Sequence, residues 1–294
     1  MTSASLDDGI TAHRSRFDHH RIESGRRRCA RCRSSGSAAP AATCPPPLGG
    51  PDMQPQPRRR TVGTVESGTG ERAAQGSDAW ARVFAAIYDP FLWLGERVTL
   101  AALRQDLIGR AEGRTVELGS GTGLNLRYYP GDLDELILTE PEAAMRARLG
   151  QRLRRTPRRV RVLDASAERL PFADDTVDTV VSTLVLCTVG SPDLALREIG
   201  RVLRPGGRLL FLEHVRSRSP RLASWQDRLS GPWRRFAEGC HCNRATDRLI
   251  RECGLELESM AGASWRGMPP IVRPLITGVA TKSEGFRATG SSVP

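Results

Sequence analysis

A short glycine-rich segment follows the first strongly apolar strand pattern of the chain, and its residue types suit a nucleotide-like ligand. The strand pattern covers residues 115–118 and carries Glu117 near its end, and residues 119–123 read Gly-Ser-Gly-Thr-Gly. Glycines in a tight turn between a strand and a helix let a ligand approach the backbone closely. Because a carboxylate buried at a strand end is costly unless it is paired, Glu117 favours a ligand with an ammonium group. It disfavours the pyrophosphate of a dinucleotide.

A second acidic residue, Glu140, ends the next apolar strand pattern along the chain. In nucleotide-binding sheets a carboxylate at the end of the second strand accepts hydrogen bonds from ribose hydroxyls. The pair of features, glycine turn and acidic strand end, therefore indicates a ligand that contains a ribose.

Alternating strand and helix patterns from Ala111 onward predict the elements that must position this site. Strands are predicted at 115–118, 135–139, 160–163, 177–183, 208–215, 255–260 and 276–282, and helices at 143–155, 193–204 and 244–253. Such alternation predicts an α/β fold with a doubly wound, mainly parallel sheet. Ligands in these sheets bind at the carboxyl ends of the strands.

The apolar residues are distributed unevenly, which predicts one folded domain and two tails. Residues 1–77 are mostly Ser, Gly, Pro, Ala and Arg without periodicity, so they cannot bury enough apolar surface to fold. We expect a disordered tail over 1–77, one domain over 78–284 and a short disordered tail over 285–294. Met53 is an alternative start, in which case residues 1–52 would not be translated.

Charge and cysteine content narrow the class of protein further. The net charge is +11, yet the arginines are scattered without interleaved aromatic residues, which favours a solvated basic surface over a nucleic-acid site. Seven cysteines in a long chain disfavour a disulfide framework and fit a cytoplasmic protein. No stretch is apolar enough to span a membrane. The segment 81–103 predicts amphipathic helices that lie on the domain or on a membrane surface. The sequence does not determine the oligomeric state.

Three motifs together resemble those of a known enzyme family. Besides the glycine turn, residues 166–172 read Ser-Ala-Glu-Arg-Leu-Pro-Phe and residues 201–207 read Arg-Val-Leu-Arg-Pro-Gly-Gly. Over residues 80–282 the chain resembles the class I S-adenosylmethionine (SAM)-dependent methyltransferases. The resemblance implies a Rossmann-like sheet of seven strands with a C-terminal antiparallel strand. It also implies SAM as co-substrate and methyl transfer as the reaction.

The resemblance also implies which residues bind SAM. Ala167 stands where the family offers a backbone N–H to the adenine. Ser166 stands where many members place an aspartate, and Asp164 lies nearby. The implied SAM-binding residues are Glu117, Gly119, Ser120, Gly121, Gly123, Asn125, Glu140, Ser166, Ala167 and Leu184. No metal is predicted, because the adjacent residues of Cys240-His241-Cys242 rarely converge on one ion and Cys29-x-x-Cys32 lacks a second pair.

A narrower resemblance concerns the methyl acceptor. Residues 184–189, 213–215 and 239–244 resemble the corresponding segments of the methyltransferase-like thiol methyltransferases and their bacterial relatives. This implies a small hydrophobic acceptor, with a thiol favoured and a lipid-like amine or another small molecule as alternatives. Trp225 and Trp233 suit an apolar acceptor. His214 and His241 are the candidate catalytic bases, needed if the acceptor must lose a proton.

Two other functions stay open from the sequence. The first is a regulatory protein that binds SAM without catalysis. The second is a nucleic-acid methyltransferase, which is disfavoured because residues 183–186, Thr-Leu-Val-Leu, are apolar where base-modifying enzymes carry a polar, proline-containing motif.

Overall fold

A central sheet organises the residues that the computed structural model describes, namely 65–66 and 78–286. Its strands in chain order are β1 (Val65–Glu66), β2 (Arg114–Leu118), β3 (Glu135–Thr139), β4 (Arg161–Leu163), β5 (Val177–Thr183), β6 (Leu203–His214), β7 (Glu256–Ser264) and β8 (Pro274–Thr281). The helices are α1 (Asp78–Gly95), a π-helical turn (Glu96–Leu100), α2 (Ala101–Ile108), α3 (Ala143–Leu153), α4 (Pro192–Val202), α5 (Pro220–Phe236), α6 (Thr246–Glu252) and a 3-10 turn (Pro270–Val272).

The strand order confirms the predicted fold class. The sheet runs β1-β4-β3-β2-β5-β6-β8-β7. Strands β2 to β6 pair in parallel, whereas β8 pairs antiparallel with both β6 and β7. The fold is therefore a Rossmann-like, mainly parallel α/β sheet of seven strands with a C-terminal antiparallel strand, extended by the two-residue edge strand β1, which pairs with β4.

Strand β1 belongs to the segment for which the sequence predicts a tail. Apart from it and from residues 285–286, the predicted tails lie outside the described residues. The side chain of Phe286 packs against Gly200 of α4. The domain boundaries at 77 and 284 stay a prediction.

Two apolar cores fill the two faces of the sheet, because successive side chains of a strand point to opposite sides. Val180 and Leu209 belong to one core with residues of α4 and α6, and Val181 and Leu210 belong to the other with residues of α2. The Val-rich β5 is buried along nearly all of its length, as expected for a strand covered on both faces. Covered faces leave the strand ends as the exposed edges where a ligand can bind.

Residues 124–128, which follow the glycine segment, form consecutive turns. Pro130 disfavours helical geometry at the residue before it. Helix α5 was not predicted, because Gly231-Pro232 reads as a helix breaker. Packing of its Trp233 and Phe236 against Phe91 of α1 stabilises it nonetheless. No helix within residues 78–286 is long and apolar enough to cross a membrane.

Candidate functional site

The glycine segment occupies the end of β2, at the edge where the parallel strands finish. Gly121 has φ +54°, and a Cβ built there would meet no atom within 4 Å. The backbone N–H of Ser120 donates to Thr139 O at the end of β3 (2.9 Å). A Cβ on Gly119 would press on Val185, and one on Gly123 would press on Leu149 and Leu126. Thus Gly119 and Gly123 allow close packing, while Gly121 borders open space that a ligand can use.

Glu117 lies at the centre of a buried polar network. Its two carboxylate oxygens accept hydrogen bonds from Asn125 Nδ2 (2.9 Å) and Tyr129 OH (2.8 Å). Burial raises the pKa of Glu117 to about 7, and the two donors partly offset that rise. Asn125 also donates to Thr183 Oγ1 (2.8 Å), at the end of β5. The structure therefore joins two predicted SAM residues, Glu117 and Asn125, directly to each other.

Arg104 extends this network, although no motif in the sequence points to it. From α2 its guanidinium donates to Asn125 Oδ1 and to Thr183 Oγ1. Its Nε lies 3.0 Å from Glu96 Oε1 in the π-helical turn, but the geometry does not make a hydrogen bond. Both oxygens of the buried Glu96 carboxylate lack a hydrogen-bond partner among the described residues. Short π-helical segments often mark functional sites, which was the signal that only the structure could supply.

Glu140 closes the glycine segment from the neighbouring strand. Its carboxylate accepts hydrogen bonds from the backbone N–H groups of Gly121 (2.7 Å) and Glu142 (2.9 Å). Burial raises the pKa of Glu140 to about 7, and these two donors act in the opposite direction. The carboxylate thus lies beside the open space at Gly121, where the sequence predicts the ribose.

The predicted adenine side follows β4. Ala167 is buried, and Ser166 Oγ donates to Glu168 Oε2 (2.8 Å). Asp164, the nearby acid, is engaged by Arg146 Nη2 (2.7 Å). Arg146 also donates to Glu140 O (2.7 Å), so it contacts the residues that follow both β3 and β4. The sequence did not single out Arg146.

The end of β5 carries a strained residue. Leu184 has φ +62°, a conformation that costs a non-glycine residue about 1 kcal/mol or more. Its N–H donates to Leu212 O (2.8 Å). The buried carboxylate of Glu213 accepts hydrogen bonds from Ser182 Oγ (2.7 Å) and from the N–H of Val185 (3.1 Å). Strain of this kind is typical of ligand sites, and Glu213 holds the strained turn in place.

The two histidines predicted as bases occupy different surroundings. His214 ends β6 and is buried, with Nδ1 3.4 Å from Cys240 Sγ. Its Nε2 has no hydrogen-bond partner within the described residues. His241 is partly buried, and its backbone N–H donates to Cys187 O (2.7 Å). Burial, together with Arg244 and Arg234, lowers the pKa of His241. Cys240, beside His214, lies in the predicted acceptor region, whereas Cys187, beside His241, was not part of the predicted site.

The two tryptophans of the predicted acceptor region also separate. Trp233 is partly buried and lies 6.4 Å from Phe91 and 5.6 Å from Phe236, measured between ring centroids. Trp225 is 54% exposed, with the guanidinium of Arg228 over its ring. Only Trp233 faces the interior, where it joins Leu184 in packing on the same apolar core.

The assembled residues fit SAM by their chemistry. The buried carboxylate of Glu117 suits an ammonium group, and the cation of Arg104 in the same network suits a carboxylate. Glu140 offers acceptor oxygens for ribose hydroxyls, and the open side of Gly121 leaves room for the ligand to meet the backbone. The carboxyl ends of β5 and β6 add apolar, sulfur and imidazole groups beside this polar half.

Comparison with known proteins identifies the family of this chain. A family model described as a methyltransferase domain matches residues 116–211. Thiol S-methyltransferase TMT1B of Rattus norvegicus is 35% identical over 187 residues, which are 60% of this chain and 75% of that protein. Thiol S-methyltransferase TMT1A of Homo sapiens is 31% identical over 207 residues, 68% of this chain and 83% of that protein.

The fold has solved counterparts. A SAM-dependent methyltransferase from Thermotoga maritima superposes with a TM-score of 0.51 at 21% identity, and the match covers 70% of this chain and 99% of that one. This structural similarity shows the fold alone. The sequence identity to the two thiol S-methyltransferases is high enough to show the family as well. The chain therefore belongs to the class I SAM-dependent methyltransferases and is an enzyme of that family.

Proposed function

We propose that this enzyme transfers the methyl group of SAM to a small hydrophobic thiol. The observation that carries the proposal is the similarity to two thiol S-methyltransferases, which extends over 75% and 83% of their lengths. The apolar character of the β5 end supports it, since Leu184 and Trp233 pack on one core there. A lipid-like amine is the second candidate acceptor, because the same apolar surroundings would accept it.

The polar half of the site would hold SAM. In this proposal Glu117 meets the ammonium group and Arg104 meets the carboxylate of the methionine moiety. Glu140 accepts the ribose hydroxyls, and Gly119, Ser120, Gly121 and Gly123 supply the close backbone approach. Ser166 and Ala167 border the adenine, while Asn125 positions Glu117 and Leu184 borders the methyl group. SAM supplies a methyl group that its sulfonium already activates.

The chain's own contribution is orientation and removal of a proton. Aligning acceptor and donor in a water-poor site accounts for a large share of the rate in such reactions. A thiol reacts as its thiolate, so its proton must leave. His214 and His241 lie at the β5 and β6 side of the site and are the residues to test for this role.

The test is methyl transfer from isotopically labelled SAM to a panel of acceptors. Alkyl and aryl thiols, long-chain amines, phospholipids and RNA would be compared with a reaction that contains no acceptor. We expect labelled thioethers from hydrophobic thiols and no label in RNA. Methylation of amines in preference to every thiol would replace the thiol proposal by the amine candidate. Labelling of thiols and amines that does not exceed the label in the acceptor-free reaction would reject both acceptors.

Location and contacts form a separate part of the proposal. The described cysteines Cys187, Cys240, Cys242 and Cys253 are free thiols, which supports a reducing, cytoplasmic location.

An exposed apolar surface lies on α1 and the π-helical turn. The guanidinium of Arg97 lies over the ring of Trp93. The apolar side chains that are about half exposed there are Val83, Trp93, Leu94 and Val98. This surface supports peripheral membrane contact. Co-sedimentation with phospholipid vesicles should therefore decrease in a Trp93→Ala variant, and equal sedimentation would reject the contact.

A further inference from the structure

Three metal-ligating side chains from distant parts of the sequence meet beside the acceptor half of the site. Cys187 follows β5, His214 ends β6 and Cys240 follows α5. Cys240 Sγ lies 3.7 Å from Cys187 Sγ and 3.4 Å from His214 Nδ1. One ligand atom from each residue lies within 4.8 Å of the others.

These separations are those of a zinc coordination shell. Zinc binds cysteine sulfur at about 2.3 Å and histidine nitrogen at about 2.0–2.1 Å in a tetrahedral arrangement. Tetrahedral angles then place two sulfur ligands about 3.8 Å apart and a sulfur and a nitrogen ligand about 3.5 Å apart. The separations of Cys240 Sγ from Cys187 Sγ and from His214 Nδ1 match these values, and the third pair of ligand atoms lies within 4.8 Å, so the three side chains can converge on one ion.

The surroundings hold the three residues in place. All three are buried. The Cys187 backbone is fixed on both sides, because its O accepts from the N–H of His241 (2.7 Å) and its N–H donates to Glu213 Oε2 (3.4 Å). Arg244 Nη1 donates to Leu186 O (2.6 Å) in the same turn. Ligands held by such supporting contacts form a preorganised site.

The other described cysteines do not share this environment. Cys242 Sγ lies 3.8 Å from Gln226 O, and Cys253 Sγ lies 3.0 Å from Ile250 O. Each is therefore directed at a backbone carbonyl, and neither belongs to the group of potential metal ligands. The cluster is thus a particular combination of two thiols and one imidazole, which are the ligands that zinc prefers.

We propose that Cys187, His214 and Cys240 bind a zinc ion, and that its fourth position takes the sulfur of the acceptor. Three protein ligands with one position left for substrate are the pattern of catalytic zinc sites. Within the described part of the chain these three residues supply the ligands. The acceptor clause rests on the proposed thiol methylation, whereas the metal site does not.

The reaction balances with zinc in this role. The acceptor thiol loses its proton to water when its sulfur binds the ion, because metal coordination deprotonates a thiol. A lone pair on that sulfur forms the bond to the methyl carbon of SAM. The bond between this carbon and the sulfonium sulfur breaks, and its electron pair stays on the sulfur of S-adenosylhomocysteine. The thioether then leaves the ion, which is neither oxidised nor reduced.

The first test measures metal in the full chain. Cys29, Cys32 and Cys44 are replaced by serine beforehand, since Cys29-x-x-Cys32 could bind metal independently. Elemental analysis after purification without chelators should give about one zinc ion per chain. Replacement by cobalt(II) should produce the thiolate-to-cobalt charge-transfer absorption. In the same background Cys187→Ser, Cys240→Ser and His214→Gln should each lose most of the zinc, while Cys253→Ser should retain it.

Folding must be separated from metal binding. Each variant's thermal midpoint is therefore compared with that of the parent protein after the parent's metal has been removed by a chelator. A parent that binds no zinc and gives no cobalt–thiolate absorption would overturn the proposal. Zinc that persists in Cys187→Ser and Cys240→Ser would also overturn it. A parent protein that is purified without zinc and with a Cys187–Cys240 disulfide would overturn it as well.

The outcomes distinguish this site from the proposed function. A zinc-containing protein that methylates no thiol would keep the metal site and reject the thiol acceptor. Thiol methylation that survives complete removal of the metal would keep the proposed function and reject zinc as the binder of the acceptor. Loss of thiol methylation on chelation, with restoration by added zinc and an unchanged affinity for SAM, would support both.

Discussion

The two halves of the strand-end edge are built in different ways. At β2 and β3 the groups are carboxylates, Glu117 and Glu140, and each is held by hydrogen-bond donors close to it along the chain or on the neighbouring strand. At β5 and β6 the groups are thiols, an imidazole and apolar side chains, and the residues that meet are separated by 26 to 53 positions. The carboxylates of the proposed SAM-binding half are thus held by nearby donors, although Arg104 and Thr183 of the same network are 79 positions apart. In the sulfur and imidazole cluster every contact is between distant residues.

The largest expected effect is a loss of SAM binding in the co-substrate half of the site. Gly121→Val would fill the open space beside the glycine segment, so we expect SAM affinity by calorimetry to fall by about 100-fold or more, roughly 3 kcal/mol. The matched control is Gly206→Val. Gly206 has φ +76° and equally open surroundings, but it lies in the turn before the main run of β6. Equal SAM affinity in both variants would contradict the assignment of Gly121.

Glu140→Ala should have the next largest effect on the same half. Loss of hydrogen bonds to a charged acceptor costs about 1.5–3 kcal/mol, which corresponds to about 10- to 100-fold in affinity. S-adenosylhomocysteine should lose affinity equally, because it carries the same ribose. A folded Glu140→Ala protein that binds both ligands normally would show that the ribose is held elsewhere.

The pH dependence of stability offers a third test of the polar half. Burial raises the folded-state pKa of Glu140 from 4.5 to about 7, so the folded chain binds this proton more tightly than the unfolded chain. Protonation of Glu140 therefore contributes its whole share of the free energy of unfolding below about pH 4.5. This contribution is lost as the pH rises to about 7. Glu140→Gln cannot titrate, so its free energy of unfolding should fall less steeply across that window, by up to about 1.4 kcal/mol per pH unit. Urea unfolding at several pH values measures the slope for the parent protein and for the variant. Glu256→Gln, at an exposed position of β7, is the control. A slope in Glu140→Gln equal to that of the parent protein would refute the expectation.

A change on the acceptor half should leave the co-substrate half intact. Trp233→Ala removes a partly buried ring from the apolar core near the β5 end, and we expect thiol methylation to fall by about fivefold, roughly 1 kcal/mol. SAM affinity should stay unchanged. The control on the same helix is Trp225→Ala, whose ring is largely exposed. The comparison between the halves would fail if Trp233→Ala weakened SAM binding as much as it slowed turnover.

The smallest effect is expected from removal of the N-terminal segment. A chain that begins at Ser77 keeps every motif of the domain and loses only β1 among the described strands. We expect unchanged SAM affinity and a thermal midpoint lowered by a few degrees at most, since a two-residue edge pairing contributes about 1 kcal/mol. Loss of cooperative unfolding would place the domain boundary before residue 77.

The sequence predicts the sheet well because its signals are local. The Val-rich run of β5 and the glycine segment each identify an element within a few residues, and both lie where expected. Tertiary contacts decide what was missed. Helix α5 depends on Trp233 and Phe236 packing against α1, and no spacing along the chain relates Arg104 to Thr183 or Cys187 to Cys240. The sequence predicts no metal at Cys240-His241-Cys242, and of these three residues the fold brings only Cys240 into a group with other potential ligands, which come from distant positions.

The hydrogen bond between Gly121 and Glu140 has a consequence for the energetics of SAM binding. In the free protein the N–H and the carboxylate already satisfy each other. The carboxylate of Glu140 accepts one backbone N–H on each oxygen and can accept more, because a carboxylate offers about four lone-pair positions. A ribose hydroxyl can therefore bond to Glu140 without displacing the Gly121 N–H. Because the two backbone bonds already hold the side chain, little of its conformational entropy remains to be lost on binding, which favours affinity.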